Sequence, residues 1–359
     1  MSKTTATTAA EIQPVSPPRL LENVYTDDQL DRMFKVVRDN GPWQLILAQH
    51  FDSPEEVVAT LSGVDVEEGA EVDYDMFLTA NFRGYLATNG ACLYPDEIED
   101  CFLNSRFLDY ARAYWKADYA KPEHVLFNIN GPCESYDPAH LDATQYRGID
   151  MKDSPIWLMN TMSKSGLFND WLMKKAQVIT WNYRGTVGGG FTYWPHGITK
   201  PPRRIPAPMW NVGAVVQNEQ MYHRGEANGP MERRKPEGLA FHSLFEADHG
   251  DPTGWRITTD GEPIQHIPAE ETRFLVHWTA EVYQDQEELK KVVDHTDDLT
   301  HDKVIGMLIA DLRSRGFDVE EPTDPLRDRE FIGLLTQAYD PGAPRIYPPE
   351  APGPAQQAA

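Results

Sequence analysis

The chain has 359 residues, of which 40% are hydrophobic and 11% aromatic, which is enough for one large core or two modest ones. Its formal net charge of −23 repels nucleic-acid phosphates and anionic membrane surfaces, so the composition excludes both as expected partners.

The cysteines and the N-terminal sequence predict a cytoplasmic location. Cys92, Cys101 and Cys133 show no Cys-x-x-Cys spacing, and an odd number argues against a full disulfide framework. The first residues lack the apolar segment of a secretory signal, and no run of about eighteen apolar residues could span a bilayer.

The first third of the chain has helical spacing. Residues 1–20, rich in Pro, Ala and polar residues, are expected to form a disordered tail. Residues 21–120 are predicted to form a mainly helical flank that packs on a core. Thr26 and Ser53 are candidate N-caps with acidic residues in the turn that follows, and further helical patterns begin near Tyr94 and Ser105.

Short β-type runs dominate residues 121–285. Asp260-Gly261 is a hairpin signal, and a helical insertion is expected over 166–176. The number and spacing of the runs predict a closed or double-sheet fold. The predicted strands are 124–130, 178–183, 191–194, 212–217, 239–245, 255–259 and 273–283.

Helical spacing returns over residues 286–340, with Thr300 as a cap and an apolar face around Phe331, and residues 341–359 are expected to be a second disordered tail. We therefore expect a mixed α and β fold. Its core would be a cupin-like jelly-roll, or double-stranded β-helix, with helical N- and C-terminal flanks.

His140 and Asp142 are the strongest candidates for chemistry. They follow a strand-like run over 124–130 that ends in a Gly-Pro turn. Side chains two apart on a strand point to the same face, so the pair can bind one metal ion. His223, after the predicted strand 212–217, can complete a set of two imidazoles and one carboxylate. This set binds Fe(II) on one face and leaves the other face open for chemistry.

Two further His-x-Asp triplets are weaker candidates. The triplet that begins at His249 lies in a turn rich in Gly and Pro, where its polar groups are solvated. The triplet that begins at His295 lies in an acidic stretch, and little but helical sequence follows it. The alternative for His140 and Asp142 themselves is a hydrogen-bonded pair without a metal.

The segment after His223 carries a second pattern. Asn228 lies five positions after it, and Arg233 and Arg234 lie ten and eleven positions after it. With the upstream His and Asp, this arrangement resembles the phytanoyl-CoA dioxygenase-like branch of the Fe(II)/2-oxoglutarate oxygenases. The likeness covers roughly residues 120–285. His196 is a possible rival to His223, but it lacks the Asn and the correctly spaced Arg that should follow.

The resemblance implies an enzyme that uses Fe(II), 2-oxoglutarate and O2. An arginine would bind the far carboxylate of 2-oxoglutarate, because the planar guanidinium offers two parallel charge-assisted hydrogen bonds. The family spacing favours Arg234 over Arg233. The implied products are succinate, CO2 and a substrate hydroxylated, desaturated or cyclised at an unactivated C–H bond. The assigned residues are His140, Asp142 and His223 as metal-binding catalytic residues and Asn228, Arg233 and Arg234 around the cosubstrate.

The substrate is expected to be a small, apolar molecule, of the kind found in secondary metabolism. Arg147 and Arg184 could anchor a substrate carboxylate or could be ordinary members of surface ion pairs. Two other functions stay open: an iron cupin oxygenase that does not use 2-oxoglutarate, and a non-enzymatic β-barrel that binds a ligand. Several aromatic residues could line an apolar pocket, although the core is the preferred place for each: Trp157, Trp181, Tyr183, Trp194 and Trp210.

Overall fold

The computed structural model describes residues 12–62, 73–135 and 139–348. The strands are β1 (Arg19–Glu22), β2 (Trp43–Leu45), β3 (Phe82–Thr88), β4 (Ala91–Cys92), β5 (Tyr119–Asn130), β6 (Lys175–Tyr183), β7 (Phe191–Trp194), β8 (Arg203–Ile205), β9 (Met209–Val216), β10 (Tyr222–Gly225), β11 (Leu244–Ala247), β12 (Trp255–Thr259), β13 (Glu262–Ile267) and β14 (Arg273–Tyr283). The helices are α1 (Asp27–Asp39), α2 (Ile46–His50), α3 (Pro54–Ser62), α4 (Pro95–Phe102), α5 (Ser105–Trp115), α6 (Ile156–Ser165), α7 (Gln286–Asp294), α8 (His301–Ser314) and α9 (Arg329–Tyr339).

The strands form two antiparallel sheets. The large sheet has the order β1-β9-β6-β14-β5-β3-β2-β11-β12-β13, with β4 beside β3, and the small sheet has the order β10-β7-β8. The protein is therefore a mixed α/β structure with a large antiparallel sheet, which is consistent with a jelly-roll core. Within the described ranges, no helix is long and apolar enough to cross a membrane.

One face of the large sheet packs against the N-terminal helices. Phe127, Val276 and Trp278 point to this face and are fully buried. The Trp278 ring meets the edge of Phe107 on α5 at 5.4 Å, and its indole N–H donates to the carbonyl of Phe102, 2.8 Å away. This face forms the main apolar core, because each strand places every second side chain against the helices.

The opposite, inner face is covered only in part. All nine residues of β6 are buried, because the small sheet lies over this strand. Trp181 of β6 packs against Phe191 of β7 with ring centroids 4.8 Å apart. On β5 and β14, by contrast, Asn128 and His277 stay partly exposed. The inner face is therefore sealed over β6 and open over β5.

The structure confirms most of the predicted elements. The predicted strands over 124–130, 178–183, 191–194, 255–259 and 273–283 are part of β5, β6, β7, β12 and β14. Thr26 caps α1 through a capping box, and Thr300 caps α8. The Asp260-Gly261 turn joins β12 to β13, where Thr259 pairs with Glu262. The strand predicted over 239–245 is wrong for most of its length, since β11 begins only at Leu244.

The helical insertion predicted over 166–176 is also wrong. The helix of this region, α6, precedes it, and Gly166 ends α6 with a φ of 68°. That left-handed conformation suits glycine at a helix terminus. Beyond it the chain makes only one 3-10 turn, Asn169–Trp171, before β6 begins at Lys175.

The ends differ from the predicted tails where the structure describes them. Ile12 is buried, and β1 begins at Arg19 and pairs with β9. Near the other end, Tyr347 packs edge-on against Trp194 at 5.5 Å. Local composition missed these contacts because both partners are distant in sequence. Residues 1–11 and 349–359, also parts of the predicted tails, lie outside the described residues.

Candidate metal centre

His140 and His223 form a pair across two adjacent backbone segments. The N–H of each donates to the carbonyl of the other, at 3.0 Å in both cases. Asp142 N–H then donates to the carbonyl of Asn218 at 3.1 Å. The chain around residues 140–142 thus lies beside β10 like one more strand of the small sheet. This placement carries the His and Asp side chains, two residues apart, to the side of His223.

The donor atoms of the three residues converge. His140 Nε2 lies 3.6 Å and His223 Nε2 3.4 Å from Asp142 Oδ1, and all three ligand atoms lie within 4.8 Å of one another. Bonds of about 2.1 Å leave adjacent ligand atoms of one ion roughly 3 Å apart. The three side chains are therefore placed to share one metal ion, as the sequence predicts.

Hydrogen bonds outside the triad orient two of the ligands. His223 Nδ1 lies 2.9 Å from the carbonyl oxygen of Met221; because a carbonyl only accepts, Nδ1 carries a proton, and Nε2 is the nitrogen turned toward Asp142 Oδ1. Gln177 Nε2 donates to Asp142 Oδ2 at 3.0 Å, and its Oε1 accepts from Asn218 N–H at 3.3 Å. Oδ1 is thereby turned toward the imidazoles. Such supporting bonds are typical of metal sites.

The electrostatics keep the ligand carboxyl ionised. Burial alone would raise the pKa of Asp142, but the imidazoles of His223 and His140 outweigh burial and hold this pKa well below its usual range. A carboxylate is the form that binds a metal. The pKa of Glu219 shifts in the opposite direction, because burial and the nearby charge of Asp142 raise it to about 7.

The triad is open on one side. The side chain of His223 is 6% exposed, whereas those of Asp142 and His140 are 27% and 49% exposed. A metal held here would be reached from the His140 side. This donor set, two imidazoles and one carboxylate with an open face, fits Fe(II).

The rival histidines do not join this group. Among the described residues, His140, Asp142 and His223 form the cluster of potential metal ligands. His196 and His249 are exposed, and His295 pairs with Asp298 at 2.8 Å. Of the candidate histidines in the described ranges, His223 is therefore the one that lies beside His140 and Asp142.

The predicted cosubstrate residues lie in the loop after β10, where each has contacts within the protein. Asn228 accepts from Asn130 Nδ2 at 2.8 Å and donates to the Gly131 carbonyl at 2.7 Å. Arg234 Nε donates to the Gly229 carbonyl at 3.0 Å, and Arg234 Nη1 lies 3.6 Å from Glu134 Oε2.

Arg233 points elsewhere. It pairs with Glu271 and donates to the His266 carbonyl at 2.7 Å. Arg233 and Arg234 are therefore alike in having an acid and a carbonyl as partners, and they differ in burial: the side chain of Arg233 is 33% exposed and that of Arg234 is 11% exposed. The assignment of any of these residues to a cosubstrate stays a prediction.

Arg273 is a candidate that the sequence did not reveal. It begins β14, is 8% exposed, and forms no hydrogen bond or ion pair with the described residues through its guanidinium. A Cβ at Gly225 would lie 3.3 Å from Arg273 Nη1. Gly225 and His223 share one face of β10, two residues or roughly 7 Å apart. The Arg273 guanidinium therefore lies beside Gly225, and the next side chain on that face of β10 is His223.

Two other predicted arginines have structural partners. Arg147, whose side chain is buried, forms an ion pair at 2.7 Å with the partly exposed Asp297, and Arg184 stacks over the Trp210 ring at 3.8 Å. Trp181 and Trp194 are buried in apolar clusters, as the preferred core interpretation requires.

Gln177 is a second residue that the sequence did not reveal. It belongs to no short motif, because its role depends on a hydrogen bond to Asp142, which lies 35 residues away in the chain.

Comparisons with known proteins give distant structural likenesses. No family model matches the chain, and the search of curated proteins found no match. A 2OG-Fe(II) oxygenase family oxidoreductase from Burkholderia pseudomallei has a TM-score of 0.37 and 11% identity, over 75% of this chain and 86% of that chain. A Trichoplax adhaerens prolyl hydroxylase, in complex with a hypoxia inducible factor peptide, has a TM-score of 0.36 and 8% identity, over 77% and 87%.

The non-heme alpha-ketoglutarate-dependent epimerase SnoN of nogalamycin biosynthesis has a TM-score of 0.34 and 10% identity, over 82% of this chain and 95% of that chain. These likenesses are too distant to assign a family or an activity. The function has to be argued from the geometry of this chain.

Proposed function

We propose that this protein is an Fe(II)- and 2-oxoglutarate-dependent dioxygenase that acts on a C–H bond of a small molecule. The observation that carries the proposal is the convergence of His140, Asp142 and His223 on one point with one side open. A purely structural hydrogen-bonded pair would need neither a second imidazole nor the two bonds that hold Gln177 against Asp142.

The residues of the chain would divide the work as follows. His140 Nε2, Asp142 Oδ1 and His223 Nε2 would hold the metal, and Met221 and Gln177 would keep two of these ligands oriented. When bound, Fe(II) with 2-oxoglutarate and O2 would supply the oxidising chemistry, with succinate and CO2 as coproducts. The small sheet excludes water from the His223 side, where the ligand is almost fully buried.

The cosubstrate carboxylate has two candidate partners. Arg234 is favoured by the family spacing, yet its guanidinium already contacts Glu134 and the Gly229 carbonyl. Arg273 is buried and has no acidic partner within ion-pair distance among the described residues. Since a buried charge is stabilised by a counter-ion, and since Arg273 adjoins Gly225 beside His223, we favour Arg273. Both lie near enough to Cys133 to act on its pKa, so the two arginines share one neighbourhood.

An anaerobic titration tests the proposal. Fe(II) is added to the purified apoprotein, then 2-oxoglutarate, and the visible metal-to-ligand charge-transfer band of a chelated keto acid is recorded. A band that needs both additions is expected. Iron binding without the band would favour the cosubstrate-independent cupin oxygenase, and the absence of iron binding would leave a ligand-binding protein as the alternative.

A further inference from the structure

The inner face of β3, β5 and β14 forms a surface that the metal ligands do not use. In the register of these strands Arg83 lies beside Asn128 and Asn128 beside Leu275, while Tyr85 lies beside Leu126 and Leu126 beside His277. All six are partly or well exposed, whereas the residues that alternate with them are buried. The small sheet does not cover this part of the face.

This surface begins at the metal centre. Thr279 of β14 pairs with Gln177 of β6, and Gln177 holds the ligand Asp142. Burial lowers the pKa values of Arg83 and His277; Tyr85 and then Asp142 partly offset this for Arg83, and Asp142 does so for His277, so Asp142 lies near both. A molecule lying on β5 and β14 would therefore have one end near the metal and the other near Arg83.

Arg83 is the unusual residue of this surface, because its partners are neutral. Its Nε donates to Asn128 Oδ1 at 2.8 Å, and its Nη1 lies 3.3 Å from His50 Nε2. Arg204, in contrast, forms two bonds of 2.6 and 2.7 Å to the acid Glu226. In the described part of the chain, no carboxylate lies within ion-pair distance of Arg83.

The neighbouring histidines do not add charge near neutral pH. Burial lowers the pKa of His277 to about 3 and that of His124 to about 4. The pKa of His50 is also lowered, by burial and by Arg83. The surface thus carries one fixed positive charge among neutral polar groups. Such a site matches a group with a single negative charge, and the guanidinium matches the two oxygens of a carboxylate.

We propose that this surface binds the substrate and that Arg83 receives a carboxylate of that substrate. The side chains of Leu126, Leu275 and Tyr85 lie on the same face and would contact its hydrocarbon part. The substrate class is then a small monocarboxylic acid with an apolar body, which adds a carboxylate to the small apolar molecule that the sequence suggests. This inference rests on the proposed function in one respect: it takes the molecule bound here to be the one oxidised.

Binding of simple probes to the full-length protein tests the assignment. Hexanoate, hexanamide and hexyl phosphate are titrated separately near neutral pH, and binding is followed by saturation-transfer NMR of the probe. The variants are Arg83→Gln, which removes the positive charge, and Arg83→Lys, which keeps the positive charge but lacks the two parallel N–H groups of the guanidinium. Arg19→Gln is the matched control, because Arg19 is exposed on β1, an edge strand of the same sheet that is separated from β3 by four strands.

Hexanoate is expected to bind the wild-type protein and the Arg19→Gln control equally. Binding to Arg83→Gln should be about tenfold to a hundredfold weaker, the effect of losing a hydrogen bond to a charged group. Arg83→Lys should recover part of the loss. Hexanamide should bind weakly to every form. Circular dichroism of each variant checks that the fold is kept.

Three outcomes would overturn the proposal. Equal binding of hexanamide and hexanoate would mean that charge is not recognised. Hexanoate binding that survives Arg83→Gln would place the anion site elsewhere, and tighter binding of hexyl phosphate through Arg83 would assign a phosphate in place of a carboxylate. The iron and 2-oxoglutarate titration reports separately on the proposed function, so a missing band with Arg83-dependent hexanoate binding would reject only the oxygenase.

Discussion

The two faces of β5 and β14 differ sharply although they are built from alternate residues of the same strands. Phe127 and Trp278 point toward the N-terminal helices and are fully buried. Their sequence neighbours Asn128 and His277 point to the inner face and remain partly exposed, and His277 lies near enough to Asp142 and His223 for both to act on its pKa. The comparison teaches that one strand can serve stability and function separately, since a shift of one residue changes the face.

The largest expected effect on function, with little effect on stability, comes from removing one of the proposed metal ligands. Asp142→Ala and His223→Ala should each abolish the Fe(II)- and 2-oxoglutarate-dependent absorption band, because two remaining donors no longer define the facial site. The unfolding midpoint should change little, as the ligands lie outside the main apolar core. A band that persists in either variant would contradict the assigned triad.

Substitutions on the face that packs against the helices should lower stability more than substitutions on the inner face. Phe127→Ala is expected to lower the free energy of unfolding by about 3 to 5 kcal/mol, the usual cost of removing a buried aromatic ring. Leu126→Ala, its partly exposed neighbour on the inner face, should cost about 1 kcal/mol. Urea denaturation of both variants measures the difference. Similar losses for the two would mean that the inner face is as tightly packed as the outer one.

The cosubstrate anchor gives a smaller and more specific effect. Arg273→Gln should weaken 2-oxoglutarate about tenfold to a hundredfold while Fe(II) affinity is kept, because a charge-assisted hydrogen bond is lost. Arg234→Gln should have less effect, since Arg234 already contacts Glu134. The titration of the charge-transfer band gives both affinities. The reverse order of the two variants would restore Arg234 as the anchor.

The smallest expected effect concerns Glu219 and the pH dependence of stability. The pKa of Glu219 is raised to about 7 by burial, above its ordinary value, so folding favours the protonated form. Its contribution to stability is complete below about pH 4.5 and is lost as the pH rises through about 7. Glu219→Gln should therefore gain stability over the wild type between these pH values, as urea unfolding at several pH values would show. A pH-independent difference would mean that Glu219 stays ionised.

The sequence predicted local features well, because they depend on neighbours in the chain. The Thr26 capping box, the Asp260-Gly261 turn and the common side of His140 and Asp142 all follow from spacings of four residues or fewer. Even His223 could be placed, since it follows a recognisable strand.

Features that depend on distant pairing were missed. The sequence predicts a helical zone where the strand β3, which carries Arg83, lies, because the place of β3 in the sheet depends on β5, more than thirty residues later. Arg273 escaped notice because its approach to Gly225 is a contact between strands that are not paired in either sheet. The misplaced helix over 166–176 had a local cause: Gly166 closes a helix instead of opening one.

The contact between Gly225 and Arg273 also bears on how related chains can be found. The strands β11–β13 fall between these two residues in the chain, yet they sit at the far edge of the large sheet. Insertions or deletions there would change the interval between His223 and Arg273, here 273 − 223 = 50 positions, without moving either side chain. A search pattern with a short fixed interval from histidine to arginine would pass over such chains, whereas one anchored on the first residue of β14 would retrieve them.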